Sequence, residues 1–387
     1  MMGSTQETLA GEMIAWRHAL HAHPEMGFAE QRTAAFVAET LRGFGITDIA
    51  EGVGGTGLVA TLKAGKGSRA IALRADMDAL RITERTNLPH ASRNQGIMHA
   101  CGHDGHSAML LGAARMLAED GGFDGTVRLI FQPAEEWGRG ALAMLNDGLL
   151  ERFPFDEIYG LHNMPGIAAG RFETTPGPAM SAEDNFEIAI TGVGGHASRP
   201  QAGREAMVAA CATVLALQTI VSRRLSPTDI AVVSVTEIVT DGTRNVLPGE
   251  ARILGDARSF RGDVSAAIET EMRCIASGIA AAHGCTVDVS YSREFVALIN
   301  DPGATDAAVQ AAQTVFGAEN VSSACAPITA SEDFARFLER VPGCFGFIGN
   351  GAESLPLHNA GYDFNDTILL NGARWLATIA RQRLPLA

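Results

Sequence analysis

The feature that most limits what this chain can fold into is a break in an otherwise regular alternation of helix and strand. Apolar residues recur at helical spacing from Thr8 to Ala22 and from Gln31 to Phe44, and short apolar runs at Leu58–Leu62 and Ala70–Ala75 predict strands. The alternation continues as helix Ser107–Ala118, strand Thr126–Phe131, helix Trp137–Asn146 and strand Glu157–Leu161. Such a pattern implies a sheet covered by helices. Beyond Gly177-Pro178 the order changes to strand Asn185–Ile190, helix Gly203–Val221, strands Ile230–Val239 and Glu250–Ala257, helix Val264–Ala282 and strand Cys285–Tyr291. That βαββαβ run is a self-contained two-layer unit of the ferredoxin-like kind. After Asp301 the first pattern resumes with helices Thr305–Phe316 and Ser331–Glu339, strand Cys344–Ile348 and helix Asp366–Arg383. The expected architecture is therefore α/β, a helix-covered mixed sheet over residues 1–180 and 293–387, with a βαββαβ domain inserted over 181–292.

In open α/β sheets ligands collect beyond the carboxyl ends of strands, so polar groups directly after apolar runs carry most weight. Asp76-x-Asp78 follows AIALRA, Glu135-Glu136 follows TVRLIFQPA, His162 follows EIYGL, and His358 follows CFGFIGN and a short loop. A fifth cluster, His99-Ala-Cys101-Gly-His103-Asp104-Gly-His106, sits in a glycine-containing loop that opens a helix. In an extended segment Cys101 and His103 point to one side and can share a metal. Thiolate, imidazole and carboxylate together suit zinc, and manganese, cobalt or nickel less decisively. After the turn imposed by Pro133, neighbouring Glu135 and Glu136 point in different directions. One carboxylate can then bind metal while the other accepts a proton from water. Asp76 and Asp78 share a face and suit the task of fixing the tautomer of a metal-bound imidazole. Cys101, His103, Glu136, His162 and His358 make five ligands, which fit two metal ions better than one tetrahedral structural ion.

Charge and composition remove other readings. The chain carries 44 acidic against 30 basic residues, a formal charge of −14, and no Lys/Arg cluster, which offers nothing to phosphate backbones or anionic lipid. The first residues lack a cationic segment followed by an apolar one, and no uninterrupted run of about 18 apolar residues occurs. A cytoplasmic protein without nucleic-acid or membrane partners is expected. Six cysteines without a C-x-x-C pair are expected to be free thiols.

RADMDAL, MHACGHDGH, FQPAEE, GLHNMPG, GGHASRP, ASEDF and PLHNAGYDF, in that order, resemble the dinuclear metallopeptidases and aminoacylases. Within them the set is most similar to hippurate hydrolases, N-acyl-amino-acid amidohydrolases and auxin-conjugate hydrolases. The wider family has His-x-Asp after the early strand; Asp76-x-Asp78 here departs from it in the way this subgroup does. The resemblance implies that Glu135 is the general base, Asp78 a supporting carboxylate, and the five residues above the ligands of two divalent ions. It implies a metallohydrolase domain whose insertion is a dimerisation and lid domain, hence a homodimer or higher homo-oligomer. His196, in GVGGHASRP, would reach the partner subunit's site and polarise the scissile carbonyl. Asn245, in TRNVLP, and Arg258 would grip the substrate carboxylate or carbonyl oxygen. The expected reaction is hydrolysis of small N-acyl amino acids; a dipeptidase or carboxypeptidase and a non-catalytic metal-binding scaffold are the alternatives. A metal-free route would make Cys101 a nucleophile paired with histidine. Thr329-x-x-Glu332 reads as a capping box, and His21 and His23 as the end of a helix before Pro24.

Overall fold

A computed structural model describes residues 2–386, and the chain separates into two compact units. The first takes in the chain up to Ala179, residues Ile299–Ala326, and the chain from Asp333 on; the second comprises Met180–Leu298 and Pro327–Glu332.

The first unit is built on an eight-stranded mixed sheet. Its strands lie in the order Ile49–Val53, Gly57–Ala64, Gly125–Gln132, Ala70–Asp76, Glu157–Pro165, Gly343–Gly351, Phe172–Glu173 and Val321–Ser322. Ala70–Asp76 runs parallel to both of its neighbours, and Gly343–Gly351 runs parallel to Glu157–Pro165. These central strands read as continuous apolar runs because both faces are covered; every residue of Ala70–Asp76 is buried. Helix His103–Asp120 packs on Ala70–Asp76 and against helices Met2–His21 and Leu369–Arg383. Its Met109, Leu110, Leu111, Ala113 and Ala114 enter the main core.

Two expected helices of this unit are shorter than their apolar patterns. Ser331–Glu339 is helical only over Ala335–Leu338, with Phe334 at its N-cap, so the helix opens beyond Thr329-x-x-Glu332 and that stretch is not its capping box. Trp137–Asn146 divides into a 3-10 turn, Glu135–Trp137, and a helix, Gly140–Asn146. The division has a local cause. Ala134 adopts the left-handed conformation, φ 48°, and Gly140 lies so close to Pro133 that a Cβ there would stand 1.5 Å from its carbonyl oxygen.

The second unit has a four-stranded antiparallel sheet in the order Ala231–Thr240, Glu250–Ser259, Ala182–Thr191, Thr286–Phe295. Helices Ala206–Thr219 and Gly262–Ala282 complete the βαββαβ order. Phe186, Ile188, Ile253, Ile268 and Met272 centre its core. Ala206–Arg224, whose last five residues form a π turn, is long and apolar enough to cross a membrane by length and composition alone. Here it buries Ala206, Ala209, Ala210 and Leu217 in the unit's core and leaves Met207, Val208 and Leu215 exposed. All six cysteines are free thiols.

Candidate metal centre

The residues after strand Ala70–Asp76 and those opening helix His103–Asp120 meet at one end of the first unit's sheet. Gly102, at φ 95°, makes the turn; a Cβ there would stand 2.3 Å from Oδ1 of Asn163 and 2.9 Å from the Tyr362 hydroxyl. Cys101, His103, Asp78, Glu135 and His162 are all buried. Asp78 uses both oxygens: Oδ1 lies 3.2 Å from Nδ1 of His103, and Oδ2 accepts from the backbone N–H of Glu136 at 3.0 Å. The first contact leaves Nε2 of His103 as the free ring nitrogen. His162 is turned in the same sense, with Nδ1 2.6 Å from the carbonyl oxygen of Asn163 and Nε2 3.5 Å from the Cys101 sulfur.

All five predicted ligands come together. Cys101, His103 and His162 form one triad whose donor atoms lie within 4.8 Å of one another; Cys101, Glu136 and His358 form a second. Nε2 of His358 is 3.5 Å from Oε2 of Glu136. His358 arrives with φ 63°, a left-handed backbone that costs a non-glycine residue about 1–3 kcal/mol. Its N–H is fixed by the carbonyl of Ala100 at 2.8 Å.

The donors also carry the mark of a site that takes a cation. Nε2 of His103 and Oε1 of Glu136, 3.9 Å apart, are buried and have no hydrogen-bond partner among the described residues. Leaving such groups unsatisfied is costly. Burial opposes a charge on His103, yet Asp76, Asp78 and Glu136 outweigh it and push the imidazole up to about 10. The cluster of carboxylates thus demands a positive charge. Burial holds His162 well below the usual imidazole range, with the His106 charge acting in the same direction, so it is a neutral donor. Thiolate, imidazole and carboxylate oxygens around these gaps fit divalent metal ions.

Glu135 stands beside this cluster, with Oε2 3.9 Å from Nε2 of His103 and Oε1 3.4 Å from the backbone N of Asp333. It is backed by a buried polar network in which the sequence singles out Asp76 and His106 but not the roles of Arg74, Gln132, Asn163 and Asp333. Arg74 donates to Gln132 at 2.8 Å, to Asp76 at 2.8 Å and to Asp333 at 3.3 Å. Asp333 also accepts from Gln132 at 2.6 Å and from the N–H of Ala141 at 2.9 Å. His106 lies between Asp76, 2.7 Å from Nδ1, and Asn163, 2.8 Å from Nε2. The signal for His106 was its place one turn after His103; nothing in the local pattern of Asp333 distinguished it from a helix cap. His21 also has a link that Pro24 does not account for: it is buried, with Nδ1 2.9 Å from Asp104, the neighbour of His103.

The other predicted residues belong to the second unit. His196 is exposed on a short strand whose partner residue is Val246, next to Asn245; the Asn245 carbonyl accepts from the N–H of Ala197 at 3.1 Å. Arg258 is engaged by carboxylates of its own unit, Asp256 at 2.6 Å and Glu183 at 2.9 Å, and donates to Ser331 at 2.8 Å.

Comparison with known proteins identifies the family. The description "Peptidase family M20/M25/M40" matches residues 72–382. Hippurate hydrolase of Campylobacter jejuni is 39% identical over 376 residues, covering 97% of each chain. N-acetyl-L-cysteine deacetylase of Bacillus subtilis is 38% identical over 97% of this chain and 89% of its own. The crystal structure of a dinuclear metal-binding M20 peptidase from Bacillus subtilis superposes with a TM-score of 0.86 at 32% identity, covering 98% of this chain and 99% of its own. Fold, donor set and sequence agree: the chain belongs to peptidase family M20/M25/M40, hydrolases that act on amide bonds with divalent metal.

Proposed function

We propose that this enzyme hydrolyses the amide of small N-acyl amino acids, releasing a carboxylic acid and a free amino acid. The observation that carries the reading is the grouping of Cys101, His103, Glu136, His162 and His358 with Glu135 beside them. When bound, two divalent ions, zinc or manganese before cobalt or nickel, supply Lewis-acid polarisation of the carbonyl and lower the pKa of water. Cys101, His103 and His162 would hold one ion and Glu136 and His358 the other, with Asp78 keeping His103 in the right tautomer. Glu135 takes the proton of the attacking water and hands it to the leaving nitrogen. The buried network behind it, through Asp333, keeps its carboxylate aimed at the gap.

In the same reading His196 of a partner subunit donates to the carbonyl oxygen as charge develops, a kind of contact worth about 3 kcal/mol. Asn245 and Arg258 bind the substrate carboxylate or the carbonyl oxygen. For Arg258 this means exchanging part of its hold on Asp256 and Glu183 for the ligand. A homodimer is supported by the second unit's free surfaces: strand Ala231–Thr240 is a sheet edge, and Met207, Val208, Leu215, Ile238 and Val239 are exposed.

The test is a panel of N-benzoyl, N-acetyl and indoleacetyl amino acids with dipeptides, offered to metal-loaded enzyme while free amine is read. Turnover of N-acyl amino acids is expected, with Glu135→Gln lower by about 10²–10⁴-fold at unchanged metal content. Preference for dipeptides would move the assignment to a dipeptidase. Full activity after chelation, lost in Cys101→Ser, would replace the metal mechanism by a thiol nucleophile.

A further inference from the structure

The first unit has a cavity of about 520 Å³ that contains none of the predicted metal ligands. Its wall comes from the end of helix Met2–His21, the start of helix Gln31–Gly43 and the loop around residue 90. His18, His23, Arg32, His90 and Arg93 line it, and no Asp or Glu does. In a chain with 44 acids against 30 bases that is a local inversion of charge. Neither the Arg32 nor the Arg93 guanidinium has a hydrogen bond or ion pair among the described residues.

The carboxylates near this wall are already committed. Glu25 accepts from the N–H of Arg32 at 3.2 Å and from the N–H and hydroxyl of Thr33 at 2.8 and 2.9 Å. Asp363 is held by Arg17 at 2.9 Å and His90 at 3.3 Å, and Asp366 by Arg17 and His18, at 2.5 and 2.8 Å. Burial and then the charges of Arg32 and Arg93 hold His23 below the usual imidazole range, so both guanidiniums act on the same space. The rest of the wall is largely apolar, with Leu20, Phe36 and Pro89 beside Thr33, whose hydroxyl is already given to Glu25. A bare oxyanion would satisfy the arginines and leave that surface wet. An anion with a hydrocarbon body satisfies both.

We infer that this cavity binds a small organic carboxylate, with Arg32 and Arg93 on its oxygens and Leu20, Phe36 and Pro89 against its apolar body. The inference does not depend on the reaction assigned above. The bound molecule would also touch a relay into the metal centre's helix. Nε2 of His90 is 2.9 Å from the buried Arg17, whose other contacts include Asp104 at 3.3 Å, in the first turn of His103–Asp120.

Benzoate is the probe, titrated into metal-loaded, full-length enzyme by calorimetry and followed on the histidine ring resonances; inorganic phosphate is the comparison. Benzoate is expected to shift His23 and His90, and the Arg32→Gln/Arg93→Gln variant to bind it at least about tenfold more weakly at this site. The variant's melting temperature and benzoate-free activity are expected to stay at wild-type values. Should the double variant melt early, Arg93→Glu alone, in an exposed loop, gives the same reading. Unchanged benzoate binding by the variants, no movement of His23 and His90, or phosphate binding as tightly as benzoate would each overturn the inference.

Discussion

Asp78 shows how one side chain sets the geometry of several others. Its two oxygens hold the His103 ring and the backbone of Glu136, residues that lie on either side of a whole helix–strand unit. Replacing it by alanine frees both, and metal affinity is expected to fall about 10–100-fold, as measured by competition with a chelating dye. A second residue-scale expectation concerns His21. Burial opposes its charge, but Asp104, followed by Glu84, raises it to about 9 from the ordinary 6.5. A group raised on folding contributes its full stability below pH 6.5 and loses it as pH climbs through about 9. Urea midpoints measured from pH 6 to 10 should therefore decline across that window, and His21→Gln should flatten the decline. Residues of this kind divide by legibility. Cys101 and His103 were readable because two ligand types lie two residues apart in a glycine-containing loop that opens a helix. His21 and Asp333 were not, because their partners are distant in the chain and each had an adequate local explanation as a helix end or a cap.

At the scale of elements, the apolar period located the long central strands and most helices; it missed the edge strand Ile49–Val53 and short strands such as Phe172–Glu173 and Val321–Ser322, and it misjudged one stretch at the centre itself. The stretch after Pro133 has the apolar spacing of one helix, yet a left-handed Ala134 and the tight passage at Gly140 split it and turn Glu135 inward. Periodicity cannot register this, since it reports which face is buried and not where the backbone must bend. The split predicts that Gly140→Ala, conservative for an ordinary helix, forces Pro133 to move. A loss of about 1–3 kcal/mol is expected in chemical denaturation, with activity falling further than stability because Glu135 moves too. In the second unit the two central strands alternate: Ala182–Thr191 buries every other residue from Phe186 to Ile190, and Glu250–Ser259 follows the same period.

For the whole molecule, the sequence carried no signal for a cationic cavity in so acidic a chain, because its wall is assembled from three separated segments. The shared-site reading has its test at this scale. An inactive His196→Ala chain mixed with an inactive Glu135→Gln chain should regain part of the activity once subunits exchange, whereas Leu215→Glu, on the exposed helical face, should shift sedimentation towards the monomer. Absence of complementation despite verified exchange would remove the partner contribution of His196.

The sheet order has one more consequence, for biosynthesis. Strand Gly343–Gly351 lies in the interior of the first unit's sheet, beside Glu157–Pro165, although the second unit is translated between them. His358 follows that strand. A nascent chain still on the ribosome at residue 340 therefore has a gap in its sheet and an incomplete donor set, and leaves an apolar strand edge for chaperones to cover. Metal loading is therefore expected only after His358 has been synthesised and strand Gly343–Gly351 has joined the sheet.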